Sequence, residues 1–227
     1  MALLGPAALA MWWNMAHDRR AEFEHWHAHE HFPERLAIPG FLRASRWHAA
    51  DGGEGFFVMY ELASHAVLSS PDYLARLNAP SPWSTQLMPH HRDMVRTQCH
   101  VLESRGAFVA RHALTLRLSP AAGQETGLRR TLAELAASLV SRPGLVGLHL
   151  LQHAAPAIGP TREQAIRGHA DQAADWVLVA CGYDLAALRE LGQAELSDDA
   201  LAGSGAAGGA VRGLYLLSQS ALPSDMP

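Results

Sequence analysis

The densest group of chemically active side chains is the string HWHAHEH at residues 25–31, which holds four of the fourteen histidines. Imidazole titrates near neutral pH, so a histidine suits proton transfer without a cofactor and is also a frequent metal ligand. On a helix, His25 and His29 form one pair, and His27 and His31 form a second pair about 200° round the axis. The string therefore predicts two histidine faces that point in different directions.

The spacing within this string leaves several kinds of chemistry open. His27 and His31 could chelate a transition metal, because histidines four residues apart on a helix can share one ion. The string also matches H-x-x-E-H, the zinc signature of inverted zinc peptidases, but the sequence offers no third ligand on another helix. The histidines could instead form an ordinary polar helix face, with His31 held by packing near Pro33. Proline is expected to end this helix near His31.

A second group of candidates lies in residues 78–91, which read as a long loop stiffened by proline. Loops of this kind often form the wall or the lid of a pocket. We therefore expect Asn78 and Trp83 to contact a ligand. The alternative is that Trp83 only plugs the open end of a barrel.

The run MVRTQCHVL predicts a strand with a row of three polar side chains on one face, among them Arg96. An inward-facing arginine could bind a carboxylate or enolate oxygen of a ligand. Equally, Arg96 could form an ion pair with Glu61 or Glu103 at the rim of the sheet. Tyr60, on the preceding strand, is a candidate pocket wall.

The elements that must position these residues follow the order β-α-β-β-α-β, and the second half of the chain repeats that order. A Pro-Gly pair at 39–40 recurs at 143–144, and a Val-Arg pair at 95–96 recurs at 211–212. These matches occur in the same order at equivalent points, which indicates an internal duplication. Each β-α-β-β-α-β unit is a ferredoxin-like sheet with helices on one face and an apolar face left to cover.

Two such units in one chain, residues 1–105 and 106–227, can cover each other sheet against sheet. The predicted fold class is therefore α+β: tandem ferredoxin-like units that form a dimeric α+β barrel within one chain. The strand of the second unit that matches the Arg96 strand is apolar, so the first unit is expected to carry any site. A further homodimer of the chain stays open.

The first unit resembles EthD-like and related small proteins of the dimeric α+β barrel superfamily. The resemblance rests on Glu22-Phe23, Trp26, His31, Pro33 and Pro39-Gly40-Phe41. It implies that the chain binds a small apolar or aromatic organic compound in the barrel of the first unit, and it leaves open whether the chain also transforms that compound without a cofactor.

The resemblance also implies roles for the candidates named above. His31 would transfer the proton and Arg96 would hold an anion. The remaining ligand contacts would come from Tyr60, Trp83, Asn78 and His27. The alternative function is a structural or association protein whose barrel is filled by its own side chains, or a metal binder through His27 and His31. Haem is not expected, although His149, His153 or His169 could serve as its proximal ligand.

Composition excludes other classes of protein. All 18 basic residues are arginine, the net charge is −4, and no basic cluster occurs, so neither nucleic acid nor an anionic membrane is an expected partner. No apolar run is long enough to span a bilayer as a helix. Two cysteines, Cys99 and Cys181, cannot form a disulfide framework, and a cytoplasmic protein with reduced thiols is the simplest interpretation.

Overall fold

The computed structural model describes residues 3–168 and 171–226 of the chain. Within them, eight strands form one closed antiparallel barrel. The strands are β1 (Ala7–Asn14), β2 (Phe41–Ala49), β3 (Gly55–Leu62), β4 (Arg92–Gly106), β5 (His112–Leu118), β6 (Leu145–His153), β7 (Trp176–Gly182) and β8 (Val211–Ala221). Because the barrel is closed, every strand is paired with a neighbour on each side.

The order of strands confirms the predicted fold class. Around the barrel the first half contributes β4-β1-β3-β2 and the second half contributes β8-β5-β7-β6, which is the same ferredoxin-like order twice. The halves join edge to edge, where Ser45 of β2 pairs with Ser220 of β8 and Cys99 of β4 pairs with His153 of β6. A common origin of the halves, and the boundary at residue 105, stay predictions.

Side chains fill the inside of the barrel. Alternate residues of every strand point inward, and the largest fully buried ones are Trp47, Phe57 and Met59. Phe108, from the connection between β4 and β5, packs with them. Trp47 stacks on Phe57 with ring centroids 5.1 Å apart and meets the edge of the Phe108 ring at 5.4 Å. Cys99 and Cys181 are buried in the same core and form no disulfide. The expectation of a ligand inside the barrel is therefore wrong.

The helices lie outside the barrel in two groups. They are α1 (His17–Trp26), α2 (Phe32–Leu36), α3 (Pro71–Asn78), α4 (Pro82–Leu87), α5 (Glu125–Leu139), α6 (Arg162–Arg167), α7 (Leu185–Gln193) and α8 (Asp198–Gly203). Helices α1 to α4 bury apolar side chains on the sheet of the first half, and α5, α7 and α8 do so on the second. None of the described helices is long and apolar enough to cross a membrane.

Pro33 does not end the first helix, contrary to the sequence prediction. Helix α1 continues through one π-helical turn, His27–His31, into α2. The Phe32 N–H donates to the His27 carbonyl, a bond across five residues instead of four. Proline lacks an N–H and its ring clashes with the carbonyl four residues back in a regular helix. The wider turn shifts the hydrogen-bond register just before Pro33, so that the helix continues past it.

The segment 78–91 is mostly helical and not the long loop predicted from its prolines. Ser81 caps α4 by accepting a hydrogen bond from the Ser84 N–H at 3.0 Å, and Pro82 occupies the first turn. A short 3₁₀ turn, Met88–His90, then leads into β4. This segment therefore packs as a helix beside α1 and does not close the end of the barrel.

Replacing Trp47 by Ala tests whether the barrel interior is a packed core. We expect the free energy of unfolding to fall by about 3–5 kcal/mol, because a fully buried indole is lost. The matched control is Trp83→Ala on the outer helix α4, where the half-buried ring should cost about 1 kcal/mol. Urea denaturation measures both. A loss below 1 kcal/mol in Trp47→Ala would contradict a filled barrel.

Candidate functional site

A cavity of about 40 Å³ lies outside the barrel, between the sheet of the first half and the helices that cover it. Strands β1, β3 and β4 form its floor, and α1 to α3 and α6 contribute walls. Its polar lining consists of His27, His31, His91, Arg35, Arg96, Arg167, Glu163, Tyr60 and Tyr73. A space of this size holds about two or three water molecules. It is the largest gathering of ionisable groups that we find in the described part of the chain.

The π-turn aligns three of these side chains. His27, His31 and Arg35 are spaced four residues apart and all line the cavity. In a regular α-helix, side chains four residues apart are offset by about 40° around the helix axis. Three side chains with this spacing therefore point in progressively different directions. The wider turn between His27 and His31 offsets that drift, and their rings lie nearly parallel, with centroids 5.3 Å apart. Single π-turns are frequently found at functional sites.

The buried imidazoles have hydrogen-bonding atoms without partners. Both ring nitrogens of His27 and Nδ1 of His31 find no hydrogen-bond partner among the described residues. Burial, followed by nearby arginines, holds the pKa of His27 and of His31 well below its usual value. Burial also lowers the pKa of His91 to about 4. At neutral pH all three rings are uncharged, and His27 and His31 keep atoms free to bond a ligand.

Three arginines and two carboxylates surround these rings. Arg35 forms a buried ion pair with Glu163 of α6, and both side chains are almost fully buried. Arg167 forms two hydrogen bonds with Asp171, at 3.2 and 2.7 Å. Arg96 donates to the Tyr73 hydroxyl at 2.5 Å and makes no ion pair with any carboxylate of residues 3–168 and 171–226. The site therefore carries one positive charge more than its described acids balance.

The second half of the chain closes this site of the first half. We call the connection between β6 and β7 the strap (residues 154–168 and 171–175 of the described chain). It crosses to β4, where the Arg96 N–H donates to the Gln172 carbonyl at 2.8 Å and the Gln172 N–H donates to the Met94 carbonyl at 3.0 Å. It also carries α6, which brings Glu163 and Arg167 into the cavity.

The structure brings together four of the six residues predicted for the site. His27, His31, Arg96 and Tyr60 line the cavity. Arg96 projects from the helix-covered outer face of the sheet, not into the barrel, and it pairs with neither Glu61 nor Glu103, which bind Arg43 and Arg129 instead.

The other two predicted residues lie elsewhere. Trp83 is half-buried on α4 with its ring 5.4 Å from that of His25, and it does not line the cavity. Asn78 ends α3, where its side-chain oxygen accepts a hydrogen bond from the Arg162 N–H at 3.1 Å. Asn78 therefore anchors the strap.

Sequence reasoning missed Arg35, His91 and the two residues of α6. Arg35 continues the four-residue spacing of His27 and His31, a signal that was present in the sequence. The strap offered one signal only: the connection from His153 to Trp176 is far longer than a hairpin loop of about 2–5 residues. Such long connections are often functional.

The described residues do not favour a metal or haem at this site. No three His, Cys, Asp or Glu side chains of residues 3–168 and 171–226 converge on one point, so His27 and His31 offer two ligands only. Glu30 accepts hydrogen bonds from Trp26 and Ser84 and is held away from such a pair.

The candidate haem ligands fit haem poorly. Both ring nitrogens of His149 are engaged, with the Ser104 hydroxyl and the Ala107 carbonyl, inside a filled barrel. His153 bonds the Gln98 carbonyl at 3.0 Å. His169 lies outside the described residues. Existing hydrogen bonds therefore occupy both ring nitrogens of His149 and one of the two in His153.

Solved structures of low sequence identity share this fold along nearly the whole chain. An anthrone oxidase-like protein superposes with a TM-score of 0.63 at 10% identity, covering 98% of this chain and 96% of its own. A proposed monooxygenase from Fusobacterium nucleatum gives 0.62 at 8%, covering 97% and 96%. Another from Lactobacillus acidophilus gives 0.58 at 10%, covering 96% and 97%. No protein-family model and no curated protein matches the sequence. The likeness shows the fold, a dimeric α+β barrel in one chain.

Replacing Glu163 by Gln tests the buried ion pair. We expect the free energy of unfolding to fall by about 3–5 kcal/mol, because Arg35 is left as a buried charge without its counterion. Glu103→Gln is the matched control, since its partner Arg129 is half exposed and the loss should stay below about 1 kcal/mol. Equal, small losses by urea denaturation in the two variants would contradict this assignment.

Acidification should reveal the buried neutral imidazoles. The unfolded chain binds protons at these histidines below about pH 6.5, whereas the native state does so only at lower pH. These groups therefore leave the stability independent of pH well above pH 6.5 and lower it as the pH falls below that value, because only the unfolded chain takes up the protons. From pH 7 to 5.5 we expect each histidine to remove about 1 kcal/mol.

The variant His27→Phe isolates one of these contributions. It should lose about 1 kcal/mol less than the wild type over this pH range, because one unfolded-state proton is removed. The exposed His29→Gln should behave like the wild type. Urea denaturation at the two pH values gives the comparison, and parallel pH profiles for His27→Phe and wild type would exclude a neutral buried His27.

Proposed function

We propose that the protein binds a small organic compound with an acidic hydroxyl or enol group in this cavity and that His31 accepts its proton. Arg96 would hold the resulting oxyanion. The observation that carries the proposal is a pair of buried imidazoles with unpartnered nitrogens beside a guanidinium that no described carboxylate neutralises. A ligand oxygen would satisfy both groups.

The electrostatics of the site define what His31 can do. Its ring is neutral at pH 7 and can accept a proton, but burial and Arg35 oppose the charged form and hold its pKa low. Proton transfer becomes favourable only when a negative charge forms close by. A ligand that ionises against Arg96 supplies that charge, so transfer and oxyanion binding support each other.

The structural neighbours are compatible with this chemistry. They include proteins named as monooxygenases and as anthrone oxidase-like, and an anthrone is an aromatic ketone whose enol form carries an acidic hydroxyl. At 8–10% sequence identity this likeness extends to the fold and assigns no reaction to the protein. We retain the EthD-like grouping, the absence of a cofactor and the cytoplasmic location as predictions.

Binding of 4-nitrophenol tests the proposal, because its phenolate absorbs visible light and its phenol does not. Just below the pKa of the free phenol, wild-type protein should raise the phenolate absorbance in a saturable manner. The variant His31→Gln should give a signal at least about tenfold smaller, since it lacks the ring that is proposed to take the proton.

The control for this experiment is His29→Gln, which removes an exposed imidazole from the same helix. It should retain the wild-type response. Saturable ionisation of the probe that is unchanged in His31→Gln would contradict a proton-accepting His31, and no response in the wild type would contradict the site itself.

A further inference from the structure

A second open space adjoins the cavity on the other side of α6. It is a cleft of about 470 Å³ between β4 and the strap. Arg96 lines both the cleft and the cavity. Glu163 and Arg167 of α6 face the cavity, whereas Gln164 of the same helix faces the cleft. Helix α6 therefore separates the two spaces, and Arg96 lies at their junction because it lines both.

The two spaces differ in size, and each suits a different part of a ligand. A cavity that binds benzene measures about 150 Å³, so the cavity of about 40 Å³ accepts a functional group but not an aromatic ring. Sites for small organic molecules usually measure about 300–1,000 Å³. The cleft alone falls within that range. A ligand of the proposed function must therefore place its body in a space other than the cavity.

The walls of the cleft suit an organic molecule with one polar end. Pro156, Ile158 and Pro160 of the strap supply apolar, conformationally restricted surface on one side. Gln98 of β4 and Gln164 supply amide groups that can orient a ligand. This combination of apolar surface and a few polar groups is typical of small-molecule sites.

The charges at the cleft select an anion. Asp171 also lines it, but two hydrogen bonds commit that carboxylate to Arg167. Arg96 keeps its charge without a described carboxylate partner. A guanidinium in this position forms charge-assisted hydrogen bonds with a carboxylate or an enolate.

We propose that the cleft between β4 and the strap is the subsite for the body of an organic anion, whose charged end binds Arg96 at the junction with the cavity. This inference rests on the proposed function, because it locates the rest of the same ligand. The strap, which belongs to the second half, would then select the ligand for a site of the first half.

A pair of probes with the same shape tests the charge. We expect 1-naphthoate to bind the wild-type protein at least about tenfold more tightly than the neutral 1-naphthamide in isothermal titration calorimetry, because only the carboxylate pairs with Arg96. Equal affinities, or no binding of either probe, would overturn the proposal.

A pair of glycine variants tests the location. A Cβ added at Gly159, which lines the cleft, meets no atom within 4 Å, and the same is true of Gly203 on the far helix α8. Gly159→Leu should weaken 1-naphthoate binding at least tenfold by occupying the cleft. Gly203→Leu, with the same side chain added, should bind within twofold of the wild type. Wild-type affinity in a folded Gly159→Leu would overturn the proposal.

The two proposals fail in different ways. The cleft is tested by Gly159→Leu with 1-naphthoate, and the proton-accepting role by His31→Gln with 4-nitrophenol, so each proposal has its own variant and its own probe. Loss of 1-naphthoate affinity in Gly159→Leu together with an unchanged phenolate signal in His31→Gln supports the cleft and removes the proton-transfer role. The reverse pattern removes the cleft and leaves that role in place.

Discussion

The ion pair between Arg35 and Glu163 is the interaction on which the candidate site depends. Arg35 of α2 forms no ion pair with a described carboxylate of the first half, and an unpaired buried guanidinium is strongly destabilising. Glu163 comes from a segment 128 residues later in the sequence. The pair therefore ties the strap of the second half to the first half, and the same contact closes the cavity.

Around this pair, the site retains groups that stability alone would not select. Neutral imidazoles with unpartnered nitrogens and an unneutralised Arg96 each cost folding free energy, and apolar residues of similar volume would pack there without that cost. The barrel interior differs, because aromatic and aliphatic side chains make up most of it, and the buried polar groups of Trp12, Thr115 and His149 have hydrogen-bond partners there. Buried polar groups that cost folding free energy and are concentrated at one place are typical of binding and catalytic sites.

The sequence predicts most of the fold, because period-two strands and two amphipathic helices per half leave few arrangements of the sheet. It also predicts that His27 and His31 share one face of a helix, although not that this face is buried. It could not show that Arg96 points outward, since a shift of one residue in register reverses every strand face. Nor could it show the π-turn, because a proline usually marks the end of a helix. The pairing of Arg35 with Glu163 was also hidden, because contacts between distant segments decide it.

The central claim is that one ligand site spans the cavity and the cleft, with Arg96 between them. A crystal structure of the wild-type protein grown with 1-naphthoate tests it most directly. The account predicts the carboxylate on the Arg96 guanidinium and the naphthyl rings between β4 and the strap, against Ile158. Rings bound at any other place, with Arg96 still on the Tyr73 hydroxyl and the cleft filled by solvent, would contradict it.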